Sequence, residues 1–248
     1  MAIHDFRSQR LFVDTELSAG KEVNATREQA NYLLNVLRLT NGSQLLIFNG
    51  LDGEWRAEIK VEGKKNCSLC ILDLTREQPA ESNLVYCFAP LKQARQDYMV
   101  QKAVEMGVGK LQPILTQYTQ VRRVNEKRMR ANVIEAAEQC GILNLPEIRS
   151  PIPLHQLPET LSAGSVLFFC DETLSGHRGI DELDGKDGQE MAVMIGPEGG
   201  FSDEERNLVN SWSNVITLGL GPRILRADTA AVAALAIVQA KVGDWYTT

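Results

Sequence analysis

No stretch of the 248-residue chain approaches the roughly 20 consecutive apolar residues that a membrane-spanning helix needs. Its start, MAIHDFRSQRLFVDTEL, has no apolar core of the kind that marks a secretory leader, so the expectation is a cytoplasmic protein with no membrane partner. Cysteine is sparse. Of five, Cys87, Cys140 and Cys170 are scattered, and only Cys67 and Cys70 form a CxxC. That pair lies in CSLCILDL, which reads as a strand, where residues three apart face opposite sides and cannot share a metal. His4, His155 and His177 offer each other no partner at helical spacing, so no resident metal is expected. Phosphate signatures are missing too. Without GK[ST] behind a glycine loop, and without GxGxxG after the first strand of a sheet, the chain lacks the usual equipment for nucleotide hydrolysis or dinucleotide binding.

Disorder is excluded by what is present: 44% hydrophobic against 23% charged residues is enough to build and solvate a core. The net charge of -6 speaks against a protein that coats nucleic acid indiscriminately, but it conceals an uneven distribution. Between Lys92 and Arg130 there are nine basic residues (Lys92, Arg95, Lys102, Lys110, Arg122, Arg123, Lys127, Arg128, Arg130) and only three acids (Asp97, Glu105, Glu126). A polyanion docked on one face would produce such a pattern, and so would two solvated helix faces.

The first part of the chain reads as a small β-rich module: RLFV, a helix, then strands in SQLLIFNG, GEWRAEIKV and NCSLCILDL. Thr26 and Gln29 fit a capping box, and Ala30, Leu33, Leu34 and Leu37 follow at helical spacing, which predicts a helix over TREQANYLLNVLRL. The polar TREQPAES is the boundary, giving domains at residues 1–74 and 82–248. Beyond it, strands such as LVYCFAP, KLQPILT, SVLFFCDE, EMAVMIGP and NVITLG alternate with helices, an order that implies an α/β fold: a parallel sheet with helices on its faces. Ligands in such sheets sit beyond the carboxyl ends of the strands.

Two of those ends stand out. MIGPEGGFSDEE runs from a strand into Gly196, Pro197, Glu198, Gly199 and Gly200, with Ser202 placed to cap the next helix. ITLGLGPRILRADTAAVAAL runs into Gly219, Gly221 and Pro222 and enters an alanine-rich helix that Asp228 or Thr229 should cap. Glycine lets the backbone approach a ligand without a Cβ in between, and proline fixes φ, so each corner can be a rigid wall of free amides and carbonyls. With Leu218, Leu220, Ile224 and Leu225 beside them, they would suit the flat faces and polar edge of an adenine ring. Each corner alone is equally an ordinary tight turn. The small side chains of the last helix fit close approach by another backbone, and fit plain helix propensity as well.

These segments carry a resemblance. GPEGGFSDEE followed by LGPRILRADTAAVAAL resembles the C-terminal signature of the RsmE-type 16S rRNA (uracil-1498-N3)-methyltransferases, a branch of the SPOUT superfamily; YLLNVLRL, IFNG, CFAPLKQARQDYMVQKAVEMGV and IEAAEQCG fall in the matching order along nearly the whole chain. The resemblance implies an N-terminal PUA-like β-barrel that helps hold RNA, a SPOUT domain with a C-terminal trefoil knot, and a homodimer built on the knotted regions. It implies S-adenosyl-L-methionine as cofactor and 16S rRNA, within the small ribosomal subunit, as substrate. Matched by position, the cofactor contacts would be Ile195, Gly196, Pro197, Glu198, Gly199, Gly200, Leu218, Gly219, Leu220, Ile224, Leu225, Thr229 and Ala230. Uracil N3 holds a proton and is a poor nucleophile until it leaves, so a base and a cation are required: Glu198 or Asp228 for the first, Arg226, backed by Arg223, for the second. Arg10, Arg38, Lys92, Arg95 and Lys102 are the expected RNA contacts. One departure is Ile142, where the family often has an arginine after EQCG, which puts a contact from that position in doubt. The alternatives are methylation elsewhere on RNA, such as a ribose 2'-hydroxyl, or an RNA-binding assembly factor without catalysis.

Overall fold

The computed structural model describes residues 8–63, 65–173 and 189–245. His4 and His177 lie outside them. The chain divides into two compact units, Met1–Ala80 with Ala137–Leu145, and Glu81–Ala136 with Pro146–Thr248.

The first unit holds a five-stranded sheet formed by β1 (Arg10–Phe12), β2 (Glu22–Asn24), β3 (Gln44–Phe48), β4 (Glu54–Val61) and β5 (Cys67–Arg76), in the order β1-β3-β4-β5-β2. Only β1 and β3 pair in parallel; the rest are antiparallel. Alternation sets the core: Leu45 and Ile47, Ala57 and Ile59, and Leu69 and Ile71 share one buried cluster with Ala30 and Leu33. Helix α1 (Arg27–Asn31) starts at the expected capping box, with Thr26 Oγ1 accepting the Gln29 N–H at 3.2 Å and Gln29 Oε1 accepting the Thr26 N–H at 2.8 Å. It is shorter than its periodicity predicts. A π turn over Tyr32–Val36 follows, closed by the Leu37 N–H on the Tyr32 carbonyl, and Arg38 then takes a left-handed φ of 56° that no α-helix continues through.

Arg10 corrects an expectation. Its side chain is 5% exposed and its Nε donates to Glu54 Oε2 at 2.9 Å, while Arg76 Nη2 reaches the same oxygen at 2.7 Å. Gly141, at φ 66°, allows this packing: a Cβ there would come within 3.2 Å of the Arg10 guanidinium, and its carbonyl accepts from Arg76 Nη2 at 2.9 Å. Arg10 is therefore part of a buried ion cluster and does not face a ligand.

In the second unit all strands are parallel. They are β6 (Leu84–Phe88), β7 (Lys110–Leu115), β8 (Glu147–Ile148), β9 (Ile152–Pro153), β10 (Val166–Cys170), β11 (Met191–Ile195) and β12 (Val215–Leu218), in the order β12-β10-β11-β6-β7-β8 with β9 also on β7. The helices are α2 (Gln93–Glu105), α3 (Glu126–Cys140), α4 (Leu157–Thr160), α5 (Asp203–Asn210) and α6 (Ala227–Val242). Continuous apolar strands are what a sheet covered on both faces requires. Val85, Cys87, Leu167, Phe169, Ala192 and Met194 pack on one face with Leu157 of α4 and Val209 of α5. On the opposite parity, Tyr86 donates its hydroxyl to Met99 Sδ of α2, and α2 and β11 both contact α6. The last helix thus returns from the edge strand β12 to the middle of the sheet. A knot depends on how that return passes the β10–β11 connection, whose residues 174–188 lie outside the described residues.

Candidate active site

The carboxyl ends of β10, β11 and β12 stand side by side, since β10 is flanked by the other two. The loops leaving them enclose a cavity of about 320 Å³. Both glycine-proline corners therefore meet at one place, as strand-end chemistry in a parallel sheet demands.

Packing explains the first corner. A Cβ on Gly196 would lie 2.6 Å from the Phe201 ring, which is itself locked edge-on against Phe169 with centroids 5.0 Å apart. Gly200 has φ 69°, and a Cβ there would run into the Glu172 carboxylate. Its N–H closes the turn on the Pro197 carbonyl at 2.9 Å. Ser202 caps α5 as expected: its hydroxyl accepts the Glu205 N–H at 3.2 Å, and Glu205 returns the contact to the Ser202 N–H at 3.0 Å. At the second corner the cap differs from expectation. Arg226 is the N-cap of α6 with no side-chain cap hydrogen bond, and Asp228, inside the first turn, accepts the Thr229 N–H at 3.0 Å.

Of the expected cofactor residues, Ile195, Gly196, Pro197, Glu198, Gly200, Leu218, Leu220, Ile224, Leu225 and Ala230 line the cavity; Gly199, Gly219 and Thr229 do not. Ile224 lines it while remaining 90% exposed. Arg226 and Arg223 are in the wall and form no ion pair among the described residues, whereas Asp228 is outside it. Glu198 lines the cavity and accepts from Arg95 Nη1 at 3.0 Å, which brings an expected RNA contact into this wall. The other expected RNA contacts lie elsewhere. Arg38 and Lys92 are exposed, and Lys102 is held by Glu105 at 2.7 Å with its ammonium 5.6 Å from the Tyr98 ring centre.

Sequence reasoning missed the end of β10. Cys170, Asp171 and Glu172 also line the cavity. Burial pushes the Cys170 thiol up to about 12, so at neutral pH it presents an uncharged surface and no nucleophile. Asp171 is buried and accepts from Thr173 and from Arg206 Nε, and Arg206 also pairs with Glu172 and Asp203. The available signal was the acid pair that ends the apolar run VLFFC, at a third strand terminus. Two rigid backbone corners, apolar side chains and a neutral thiol suit a flat, partly polar ligand, and wall arginines without an ion pair among the described residues suit an anionic one.

Comparison with known proteins agrees with that geometry. The family model described as RNA methyltransferase domain matches residues 77–239, and that described as RNA methyltransferase PUA domain matches residues 25–72. A ribosomal RNA small subunit methyltransferase E of Rickettsia conorii is 30% identical over 232 residues, covering 93% of this chain and 94% of its own. Among solved structures, a methyltransferase of Legionella pneumophila in complex with bound cofactor SAM superposes with a TM-score of 0.85 at 32% identity, over 96% of this chain and 99% of that one. The ribosomal RNA small subunit methyltransferase E of Neisseria gonorrhoeae, bound to S-adenosyl methionine, has the same TM-score at 27% identity, over 96% and 100%. With the family model matching residues 77–239 and a 30% identical relative covering 93% of the chain, this chain belongs to the RNA methyltransferase family, among the ribosomal RNA small subunit methyltransferases E.

Proposed function

We propose that the protein methylates N3 of a uridine in 16S rRNA, at the position the family resemblance gives as 1498, using S-adenosyl-L-methionine, and that it acts in the cytoplasm on RNA within the small ribosomal subunit. The observation that carries this reading is the junction of both glycine-proline corners around one cavity, with two arginines in its wall that form no ion pair among the described residues.

S-adenosylmethionine, when bound, supplies a methyl group on a sulfonium, which needs no metal to be electrophilic. The backbone between Ile195 and Gly200, with Leu218, Leu220, Ile224, Leu225 and Ala230, would hold it, Gly199, Gly219 and Thr229 lying in the same loops. Rigid positioning of this kind is worth roughly 7 to 11 kcal/mol in favourable cases. A carboxylate, Glu198 or Asp228, takes the N3 proton, and Arg226 with Arg223 stabilises the negative charge left on the ring. Arg95, by donating to Glu198, holds that carboxylate in place. Since N3 lies on the Watson-Crick edge, the uridine must be unpaired or extruded to react.

The PUA-like domain, residues 1–74, would hold RNA through Arg38, and the SPOUT domain, residues 82–248, through Lys92, Arg95 and Lys102. A homodimer on the knotted regions follows from the resemblance and is supported by the exposed Ile224. No described helix is long and apolar enough to cross a membrane.

The test is to incubate the purified protein with S-adenosylmethionine and unmodified small subunits, then map methylated nucleotides by digestion and mass spectrometry. A single N3-methyluridine in 16S rRNA is the expected result. Methyl on a ribose or another base would overturn the substrate assignment, and cofactor binding without transfer would overturn catalysis.

A further inference from the structure

The basic segment from Lys92 to Arg130 encloses a second cavity, of about 100 Å³, between the start of α2 and the turn into α3. Gln96 lines it and is only 8% exposed. Its Oε1 accepts the Leu91 N–H at 2.9 Å, which fixes the orientation of the amide, and its Nε2 is buried with no hydrogen-bond partner among the described residues. Leaving a buried donor unmade costs about 1–3 kcal/mol, and such a group calls for a reason. An acceptor from outside the chain supplies one.

The charges around the cavity define that acceptor. Arg123 lines it, is exposed and forms no ion pair among the described residues. Helix α2 begins there with Gln93 in the wall and no side-chain cap, so its first amides add positive potential. The carboxylate in the wall, Asp97, is already satisfied: Arg128 donates to it at 2.6 Å and Asn132 at 2.8 Å, and the Arg128 hydrogen bond holds its carboxyl below the usual range. What remains unmatched is donor and cation, the complement of an oxyanion. The volume exceeds the 10–15 Å³ or so that one water needs several times over, enough for a phosphate group.

The cavity also has a route to the methylation site. A groove lined by Lys92, Ala94, Arg95, Gln120 and Glu198 shares Arg95 and Glu198 with the main cavity, and its Lys92 and Gln120 are chain neighbours of Gln93 and Val121 in the small one. We infer that the small cavity is a subsite for a backbone phosphate of the RNA substrate, with Gln96 and Arg123 donating to it while the target uridine occupies the main cavity. This rests on the reading of the protein as acting on RNA.

The test measures binding of a fluorescently labelled single-stranded RNA to the full chain over a salt series. Arg123→Gln and the near-isosteric Gln96→Glu, which keeps an acceptor for Leu91, should each weaken binding several-fold, and Arg123→Gln should lower the salt slope by about 0.7, one single-strand phosphate. The thermal shift on adding S-adenosylmethionine should match wild type for both. Unchanged affinity and slope in the folded Arg123→Gln protein would overturn the subsite. Inorganic phosphate is added as a competitor: restoring wild-type and variant to equal, weak RNA binding at millimolar levels supports an oxyanion site, and an undiminished difference overturns it. The methylation assay on the same preparations separates the two readings. Methyl transfer with unaffected variants refutes the subsite alone, whereas variant-sensitive RNA binding without transfer refutes the proposed reaction alone.

Discussion

Each unit of this protein contains an arginine-carboxylate cluster, and the two are built oppositely. In the first, Glu54 is 3% exposed and saturated by Arg10, Arg76 and the Thr75 hydroxyl. Burial pushes its carboxyl up, but the hydrogen bonds from Arg76, Arg10 and Thr75 outweigh that and hold it below the ordinary value. In the second, Arg206 ties Asp171 and Glu172 in the cavity lining, while Arg223 and Arg226 stand at its wall with no carboxylate paired to them among the described residues. A buried carboxylate saturated by its donors holds a fold; cations in a cavity wall with no carboxylate folded against them are available to a ligand. Arginines that are indistinguishable in sequence thus divide by whether a carboxylate is folded against them.

The largest effect should fall on the group that moves the proton. Replacing Glu198 by Gln and Asp228 by Asn, one at a time, should lower kcat by about 10²–10⁴-fold for the residue that serves as base and far less for the other. Equal, small losses in both would assign the carboxylates to loop order. Next is Glu54→Gln, which removes the buried carboxylate that Arg10 and Arg76 share and should cost about 3–5 kcal/mol in chemical denaturation. Because the folded-state pKa of Glu54 is depressed, its stabilisation is present above the ordinary carboxylate range and disappears as pH falls through the folded value. The variant should therefore flatten the acid limb of stability against pH; an unchanged limb would mean that the cluster carries no linkage.

Arg226→Gln tests the other side of the contrast. With no partner to orphan, it should leave stability within about 0.5 kcal/mol of wild type and yet lower kcat by about 10²–10³-fold, as loss of one donor to a developing anion does elsewhere. A large stability loss would place it with Arg10. The smallest effect is expected from Gly196→Ala, whose added methyl meets the Phe201 ring. Overpacking there should cost about 1–3 kcal/mol and weaken S-adenosylmethionine binding by calorimetry, with kcat at saturation changed less than in Arg226→Gln.

Local signals were read well where they were complete within a few residues. The capping box at Thr26, the N-cap at Ser202 and the apolar parallel strands all appear where their chemistry predicts them. Short or long-range features escaped. Strands of two or three residues, such as β2, β8 and β9, are too brief to show a period, and the π turn after α1 depends on where Arg38 redirects the chain. In the site, both corners were legible because glycine and proline declare backbone constraints directly, but Cys170, Asp171 and Glu172 carry no motif and entered only because β10 lies between β11 and β12.

By itself, then, the sequence determined the longer elements, the parallel arrangement of the second unit and the two backbone corners, since these follow from periodicity, capping and the special torsions of glycine and proline, and its motifs carried the family resemblance. Tertiary structure alone decided which charges are free. Ion pairing joins residues far apart in the chain, as Arg10 with Glu54 and Arg95 with Glu198 do, and no local pattern encodes the partner that folding brings within hydrogen-bond distance.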